Sequence, residues 1–114
     1  MEKILENTLL YDFYGELLTE KQRRLFEMHF YDDLSLGEIG DIEGISRQGV
    51  SRQLKRCEEA LREYEAKLKL VEKFLKIKEK TETMTELLDG LDKAGDRKRI
   101  DELKDIASSI VDLI

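Results

Sequence analysis

The stretch that decides the fold spans residues 35–61 and reads SLGEIGDIEGISRQGVSRQLKRCEEAL. Ser35, with Glu38 three residues later, forms a capping box that opens a short helix, and Gly44 suits the left-handed residue that ends it. Ser46 then caps a second helix. Two helices joined by so short a turn predict a helix-turn-helix. We expect five apolar side chains to hold the two helices together: Ile39, Ile42, Ile45, Val50 and Leu54.

The second helix of this motif presents a polar face that suits nucleic acid. Its apolar stripe of Val50, Leu54 and Cys57 points inward, so the other side chains of its first turns project outward. The predicted DNA contacts lie on this helix: Arg47, Gln48, Gly49, Ser51, Arg52, Lys55 and Arg56. Arginine can bind guanine with two hydrogen bonds and glutamine can bind adenine, whereas Lys55 and Arg56 suit phosphates.

This basic face has two other interpretations. Any exposed helix needs a solvated face, and a helix-turn-helix can bind protein or RNA instead of DNA. Four basic and no acidic side chains between Arg47 and Cys57 favour nucleic acid over a merely solvated face. Gly49 leaves room for the close approach of a backbone or a base edge. DNA contact is therefore the leading hypothesis.

Two further helices are predicted before the motif. The first has apolar residues at a spacing of four, with a second apolar row beside them: Leu5, Leu9, Phe13 and Leu17, then Leu10, Tyr14 and Leu18. Thr19 and Gln22 form another capping box. It opens a helix with an inward stripe: Leu25, Phe26, His29 and Phe30. Strand signals are absent from the sequence, so the predicted fold class is all-α.

A long apolar repeat follows the motif. Its members are spaced alternately by four and three residues: Val50, Leu54, Cys57, Leu61, Tyr64, Leu68, Val71 and Leu75. Since no Gly or Pro interrupts it, this heptad pattern predicts one continuous helix from Arg47 to about Lys80, roughly 50 Å long. We call the five later positions the seam: Leu61, Tyr64, Leu68, Val71 and Leu75. The first helices are too short to cover it beyond Leu61, so the seam needs another partner.

The C-terminal third offers one such partner. A short helix is predicted over residues 82–89, Gly90 and Gly95 interrupt the chain, and a last helix begins near Arg97. That helix carries a wide apolar stripe: Ile100, Leu103, Ile106, Ala107, Ile110, Val111 and Ile114. Either these helices or a second copy of the chain can cover the seam, and we predict a homodimer.

The predicted domains are a DNA-binding helix-turn-helix domain and a region for dimerisation or docking. The first spans residues 1–62 and the second, which continues the long helix, spans residues 63–114.

The net charge conceals an uneven distribution. The chain has 114 residues, of which 40% are charged, and its net charge is −6. Taken alone, that value argues against nucleic acid as a partner. However, residues 1–43 carry −7, residues 44–80 carry +5 and residues 81–114 carry −4. The only basic segment therefore contains the second helix of the motif, and the acidic flanks should make DNA binding modest and salt-dependent.

Catalysis finds no support in the sequence. His29 has no second histidine for a metal site, acidic pairs such as Asp32-Asp33 suit exposed positions, and no Gly-rich phosphate loop occurs. We therefore expect no enzyme activity, no metal and no cofactor. The single Cys57 is expected to be a small core residue and fits a reducing, cytoplasmic location. No apolar run approaches the ~20 residues that span a bilayer, so no membrane insertion is expected.

Several segments resemble known families. ISRQGVSRQLKR (residues 45–56), preceded by LSLGEIG (34–40) and LTEKQRRLFE (18–27), is similar to region 4 of bacterial sigma factors. That resemblance covers roughly residues 18–62. LYDFYGELLT (10–19) together with residues 47–56 resembles the YlxM/p13-like family of Gram-positive bacteria over nearly the whole chain. Those are small sigma-region-4-like proteins encoded beside components of the signal recognition particle.

The resemblance implies a sigma-region-4-like fold and a DNA-binding regulatory protein. By position it places Arg47, Gln48, Ser51, Arg52 and Lys55 on the side that faces DNA. It also implies a link to the signal recognition particle pathway, which rests on gene neighbourhood. The alternative function is an interaction module for a protein or ribonucleoprotein partner, with components of that particle as the partner the family suggests.

Overall fold

The computed structural model describes residues 3–91 and 97–113, which contain six α-helices and no strand. The helices are α1 (Lys3–Tyr14), α2 (Glu20–Phe30), α3 (Leu36–Glu43), α4 (Arg47–Leu68), α5 (Leu70–Asp89) and α6 (Arg97–Val111), and a 3-10 turn, Gly15–Leu17, follows α1. The all-α prediction is confirmed. The chain forms two compact units, Met1–Lys69 and Leu70–Ile114.

The predicted helix starts are confirmed by their capping hydrogen bonds. The backbone N–H of Gln22 donates to the Thr19 hydroxyl at 3.1 Å, and the Gln22 side chain accepts from the Thr19 N–H at 3.0 Å. Ser35 and Glu38 form the same reciprocal pair before α3. Ser46 accepts from the backbone N–H of Gly49 at 3.0 Å before α4. Such caps stabilise a helix by roughly 1 kcal/mol each, which explains why short polar sequences define these boundaries.

Helix α4 is the centre of the first unit, because it packs against α1, α2 and α3. One cluster of buried side chains joins α2, α3 and α4: Leu25, Met28, Ile39, Val50 and Leu54. Partly buried Leu34, Leu36 and Ile45 complete it. Ile42, which the sequence assigns to the same contact, is instead 63% exposed, because α3 turns Ile39 toward α4 and Ile42 toward solvent.

The buried face of α1 differs from the most regular apolar row in its sequence. Leu10 and Tyr14 are buried beside Asn7, whereas Leu5 and Leu17 are 58% and 54% exposed. Contacts with α4 explain the choice: the Asn7 amide donates to Glu58 at 3.1 Å and the Tyr14 hydroxyl donates to Glu65 at 2.5 Å. The row that contains Leu5 and Leu17 therefore does not form the core of this unit.

The prediction of one continuous helix from Arg47 to Lys80 is wrong, because the helix is interrupted at Lys69. This residue adopts φ 55° and ends α4, its backbone N–H bonding to the carbonyl of Glu65 at 2.8 Å. α5 then runs from Leu70 to Asp89 and includes the stretch 82–89 that was predicted as a separate helix. Left-handed backbone at a residue other than glycine is unfavourable by about 1–2 kcal/mol. No Gly, Asn or Pro marks this position, so local sequence favours an unbroken helix here.

The seam is consequently not one continuous strip. Leu61 is fully buried in the first unit, and Tyr64 is half-buried there, with its hydroxyl donating to the carbonyl of Leu17 at 3.4 Å. The first unit therefore covers α4 as far as Tyr64, although the sequence predicts that this cover ends at Leu61. Leu68 is 47% exposed at the end of α4. Val71 and Leu75 belong to the second unit, where Val71 is buried.

The second unit consists of α5 and α6, which pack against each other. The predicted end of α5 at Gly90 and the start of α6 at Arg97 are confirmed, and the Arg99 guanidinium donates to the carbonyl of Gly90. Three apolar side chains of α6 are half-buried: Leu103, Ile106 and Ile110. Among the described residues of α6 none is fully buried. The predicted interruption at Gly95 and the last member of the stripe, Ile114, lie outside the described residues.

Candidate nucleic-acid interface

The turn between α3 and α4 depends on two glycines. Gly44 adopts φ 72°, and its backbone N–H bonds to the carbonyl of Gly40. Gly40 itself faces the turn: a Cβ atom there would lie 2.6 Å from the carbonyl oxygen of Ile45. The sequence indicates the role of Gly44 but not that of Gly40. The only signal for Gly40 is a glycine inside a helix, where it is otherwise unfavourable.

An ion pair connects α2 to the end of α3. The Arg24 Nε donates to Glu43 Oε1 at 2.6 Å, and its Nη2 donates to Oε2 at 3.1 Å. This two-bond geometry restricts the direction of α3 relative to α2. The hydrogen bond from Arg24 lowers the pKa of Glu43 from its ordinary value of 4.5. The same hydrogen bond raises the pKa of Arg24.

We expect this pair to make stability depend on pH in the acid range. Because the folded pKa of Glu43 is lowered, its contribution is complete above pH 4.5 and is lost as the pH falls through the lowered pKa. Glu43→Gln should therefore melt at a lower temperature than the wild type at pH 7, and the difference between the two melting temperatures should narrow as the pH falls below 4.5. Thermal unfolding followed by circular dichroism measures both.

The matched control for this comparison is Asp41→Asn. Asp41 is exposed on the same helix, so its neutralisation should not reproduce the pH-dependent gap. Glu38, whose pKa is lowered by the hydrogen bonds from Ser35, titrates in all three proteins and cancels in the comparison. A gap between wild type and Glu43→Gln that stays constant from pH 7 to pH 3 would contradict the electrostatic role of this pair.

The structure brings the sequence-predicted DNA contacts together on α4. Six of the seven residues are exposed: Arg47, Gln48, Ser51, Arg52, Lys55 and Arg56. Gly49 is half-buried, and a Cβ atom there would lie 3.2 Å from the Ser46 hydroxyl and 3.8 Å from the Ile45 side chain. Its missing side chain therefore accommodates the cap of α4, which differs from the close approach to DNA that the sequence suggests.

Within the described part of the chain, the basic side chains of this face have no carboxylate partner. Some cations elsewhere are paired, such as Arg24 with Glu43 and Lys76 with Glu72 at 3.3 Å. Across residues 3–91 and 97–113, no ion pair engages four cations of α4: Arg47, Arg52, Lys55 and Arg56. Four exposed positive charges within about three turns of helix repel one another, and an external polyanion relieves that repulsion.

Two other singled-out residues have structural roles. Cys57 is fully buried, as predicted, and its thiol lies 3.7 Å from the carbonyl of Gln22. Burial raises the pKa of this thiol to about 11, which keeps it protonated and unreactive. The His29 ring packs edge-on against Phe30, and its Nδ1 lies 3.1 Å from the carbonyl oxygen of Leu34.

Two kinds of feature are absent from the described residues. No group of three or more His, Cys, Asp or Glu side chains within residues 3–91 and 97–113 is arranged to hold a metal ion. In the same part of the chain, no helix combines the length and apolar character needed to cross a membrane.

Comparison with known proteins identifies one family and several relatives. The family model for a "helix-turn-helix protein, YlxM / p13 like" matches residues 1–106. UPF0122 protein TTE1463 of Caldanaerobacter subterraneus is 56% identical over 81 residues, which cover 71% of this chain and 69% of that protein. UPF0122 protein Teth514_1714 of Thermoanaerobacter sp. is 46% identical over 90% of this chain and 86% of its own. UPF0122 protein ABC2295 of Shouchella clausii is 43% identical over 100% of this chain and 95% of its own.

Proposed function

Because the chain belongs to the YlxM / p13 like family of helix-turn-helix proteins, we propose that it binds duplex DNA through α4. The observation that supports this proposal is the group of four unpaired cations on the exposed face of α4. The face is polar and the helix is narrow enough for the major groove, about 12 Å wide. The groups offered to DNA are on its first three turns: Arg47, Gln48, Ser51, Arg52, Lys55 and Arg56.

The charges also limit the strength of binding. Each phosphate contact releases condensed counterions, so the logarithm of the affinity should fall with the logarithm of salt at a slope of about −0.9 per contact. Two to four phosphate contacts by these cations therefore correspond to a slope of about −2 to −4. The acidic segments on either side, residues 1–43 and 81–114, should repel a polyanion and restrict binding to this face.

An unbiased selection tests the proposal. The purified protein is incubated with a library of random duplexes, retained sequences are amplified, and affinities are measured by fluorescence anisotropy at several salt concentrations. We expect enrichment of a sequence pattern and a salt slope in the range given above. Failure to retain any duplex at low salt would overturn the proposal.

The proposal extends to a regulatory, non-enzymatic role in the cytoplasm. Its support is indirect: a helix-turn-helix family for the role, and the single buried Cys57 for a reducing compartment. Genes next to sites found in the selection should change expression when the protein is depleted. Unchanged transcript levels at all such sites would contradict the regulatory role.

A second candidate function is binding to components of the signal recognition particle, as the family resemblance suggests. Exposed apolar side chains of the second unit favour a protein contact: Leu88 is 55%, Ile100 44% and Val111 68% exposed. Purified protein and RNA of the particle should be captured equally by wild type and by a variant with reversed charges on α4. Absence of capture would contradict this candidate, and capture that depends on α4 charges would assign the contact to α4 instead.

We further propose that the protein is a homodimer. The support is the apolar stripe of α6, none of whose described residues is fully buried, together with Leu68, which is 47% exposed at the end of α4. Light scattering at micromolar concentration should give about twice the chain mass of 13.4 kDa. A single-chain mass over the whole concentration range would overturn this proposal.

A further inference from the structure

The Arg47 side chain packs against α3 at Gly37. A Cβ atom built on Gly37 of α3 would lie 3.6 Å from Arg47 Nε and 3.9 Å from both its Cδ and Cγ. Three consecutive side-chain atoms of Arg47 therefore lie across the surface of Gly37. The side chain therefore contacts α3 at this position.

The helical positions of the cations agree with this contact. The inward direction of α4 is given by four buried residues: Val50, Leu54, Cys57 and Leu61. At about 100° per residue, Arg52 lies almost opposite the mean direction of these residues, whereas Arg47 lies only about 50° from it. Gln48 lies about 30° from the outward direction. Arg47 is thus at the margin of the exposed face next to α3, and Arg52 is at its centre.

The centre and the margins of a helix bound in the major groove contact different parts of the DNA. The central strip faces the base edges, and the margins face the phosphates of the two strands that border the groove. If α4 binds DNA as proposed above, we infer that Arg47 contacts a backbone phosphate while Arg52, with Gln48, reads bases. Gly37 is the positioning residue that directs Arg47 to the backbone. The resemblance to sigma region 4 places Arg47 and Arg52 on the side that faces DNA without distinguishing their roles.

Gly37 can position Arg47 because it has no side chain in the volume that the Arg47 side chain crosses. A methyl group at this position would make ordinary van der Waals contact with Arg47, since its nearest atom would lie at 3.6 Å. A longer side chain would occupy the volume through which Arg47 passes, and would direct the guanidinium away from α3. The position of the charge is therefore set by a residue on another helix.

Two single variants distinguish the two roles. Affinities of Arg47→Ala and Arg52→Ala are measured for a preferred duplex from the selection and for a scrambled duplex of the same composition, over a salt series. Arg47→Ala should weaken binding to both duplexes by a similar factor, about tenfold, and should reduce the salt slope by about one. Arg52→Ala should lower the ratio of the two affinities by about 5- to 150-fold.

Each alternative result has a distinct meaning. If Arg47→Ala abolishes the preference for the selected duplex while Arg52→Ala preserves it, the inference is overturned and DNA binding by α4 stands. If the wild type binds neither duplex at low salt, the proposed function fails and the inference fails with it.

A third variant tests the positioning by Gly37. Gly37→Met should reproduce the uniform loss of affinity and the reduced salt slope of Arg47→Ala, with an unchanged preference ratio. Ile42→Met is the matched control, because Ile42 is 63% exposed on the same helix and its side chain is not part of the contact. Circular dichroism establishes that both variants are folded. Wild-type affinity in folded Gly37→Met would overturn the positioning role.

Discussion

The double variant Arg52→Glu/Arg56→Glu is expected to lose DNA affinity by about 100-fold or more. Both side chains are exposed on α4, and within the described part of the chain neither forms an ion pair. The substitutions remove two positive charges and place two carboxylates where phosphates would lie. The result does not depend on which of the two arginines contacts a base. Fluorescence anisotropy with the selected duplex at low salt measures the loss.

The matched control is Lys73→Glu/Lys78→Glu. Both lysines are exposed on α5, so this variant changes the net charge by the same amount away from the interface. It should retain affinity within a few-fold, and both variants should keep the helical circular dichroism spectrum. Equal losses in the two double variants would show that only the overall charge matters, and would remove α4 from the interface.

The helix starts could be predicted from sequence because each depends on a few neighbouring residues. Thr19, Ser35 and Ser46 each accept a backbone N–H within the next three residues, so that no distant contact is needed to place them. Lys69 is the opposite case. Its left-handed conformation interrupts a sequence of good helix formers, so local preference does not predict the end of α4 there. The same holds for α1, where contacts of Asn7 and Tyr14 with α4 select the buried row.

The exposed face of the candidate interface could be predicted from sequence, but its contact with α3 could not. The stripe of Val50, Leu54 and Cys57 determines which side of α4 faces inward, and the exposed positions of Arg52 and its neighbours follow from helical periodicity. The packing of Arg47 on Gly37 does not follow from periodicity, because it depends on how α3 crosses α4. The crossing itself is a tertiary property, and it also determines the need for glycine at position 40.

Gly40→Ala is expected to destabilise the protein by about 1–3 kcal/mol, even though alanine is the better helix former. A Cβ atom at position 40 would lie 2.6 Å from the carbonyl oxygen of Ile45, and that oxygen belongs to the backbone of the turn, which cannot move without displacing α4. A domain of this size is typically stable by about 5–15 kcal/mol, so the loss is measurable. Urea unfolding followed by circular dichroism gives the change in the free energy of unfolding.

Gly37→Ala is the matched comparison, because it makes the same substitution in the same helix without the clash. The added methyl group would lie 3.6 Å from its nearest neighbour, so this variant should be more stable than the wild type by about 0.5–1 kcal/mol. If the free energy of unfolding rises in Gly37→Ala and falls in Gly40→Ala, then close approach of the turn, and not helix propensity, requires glycine at position 40. Stabilisation by both substitutions would mean that the turn can relax, and that the spacing between α3 and α4 is less constrained than the contact of Gly40 with Ile45 indicates.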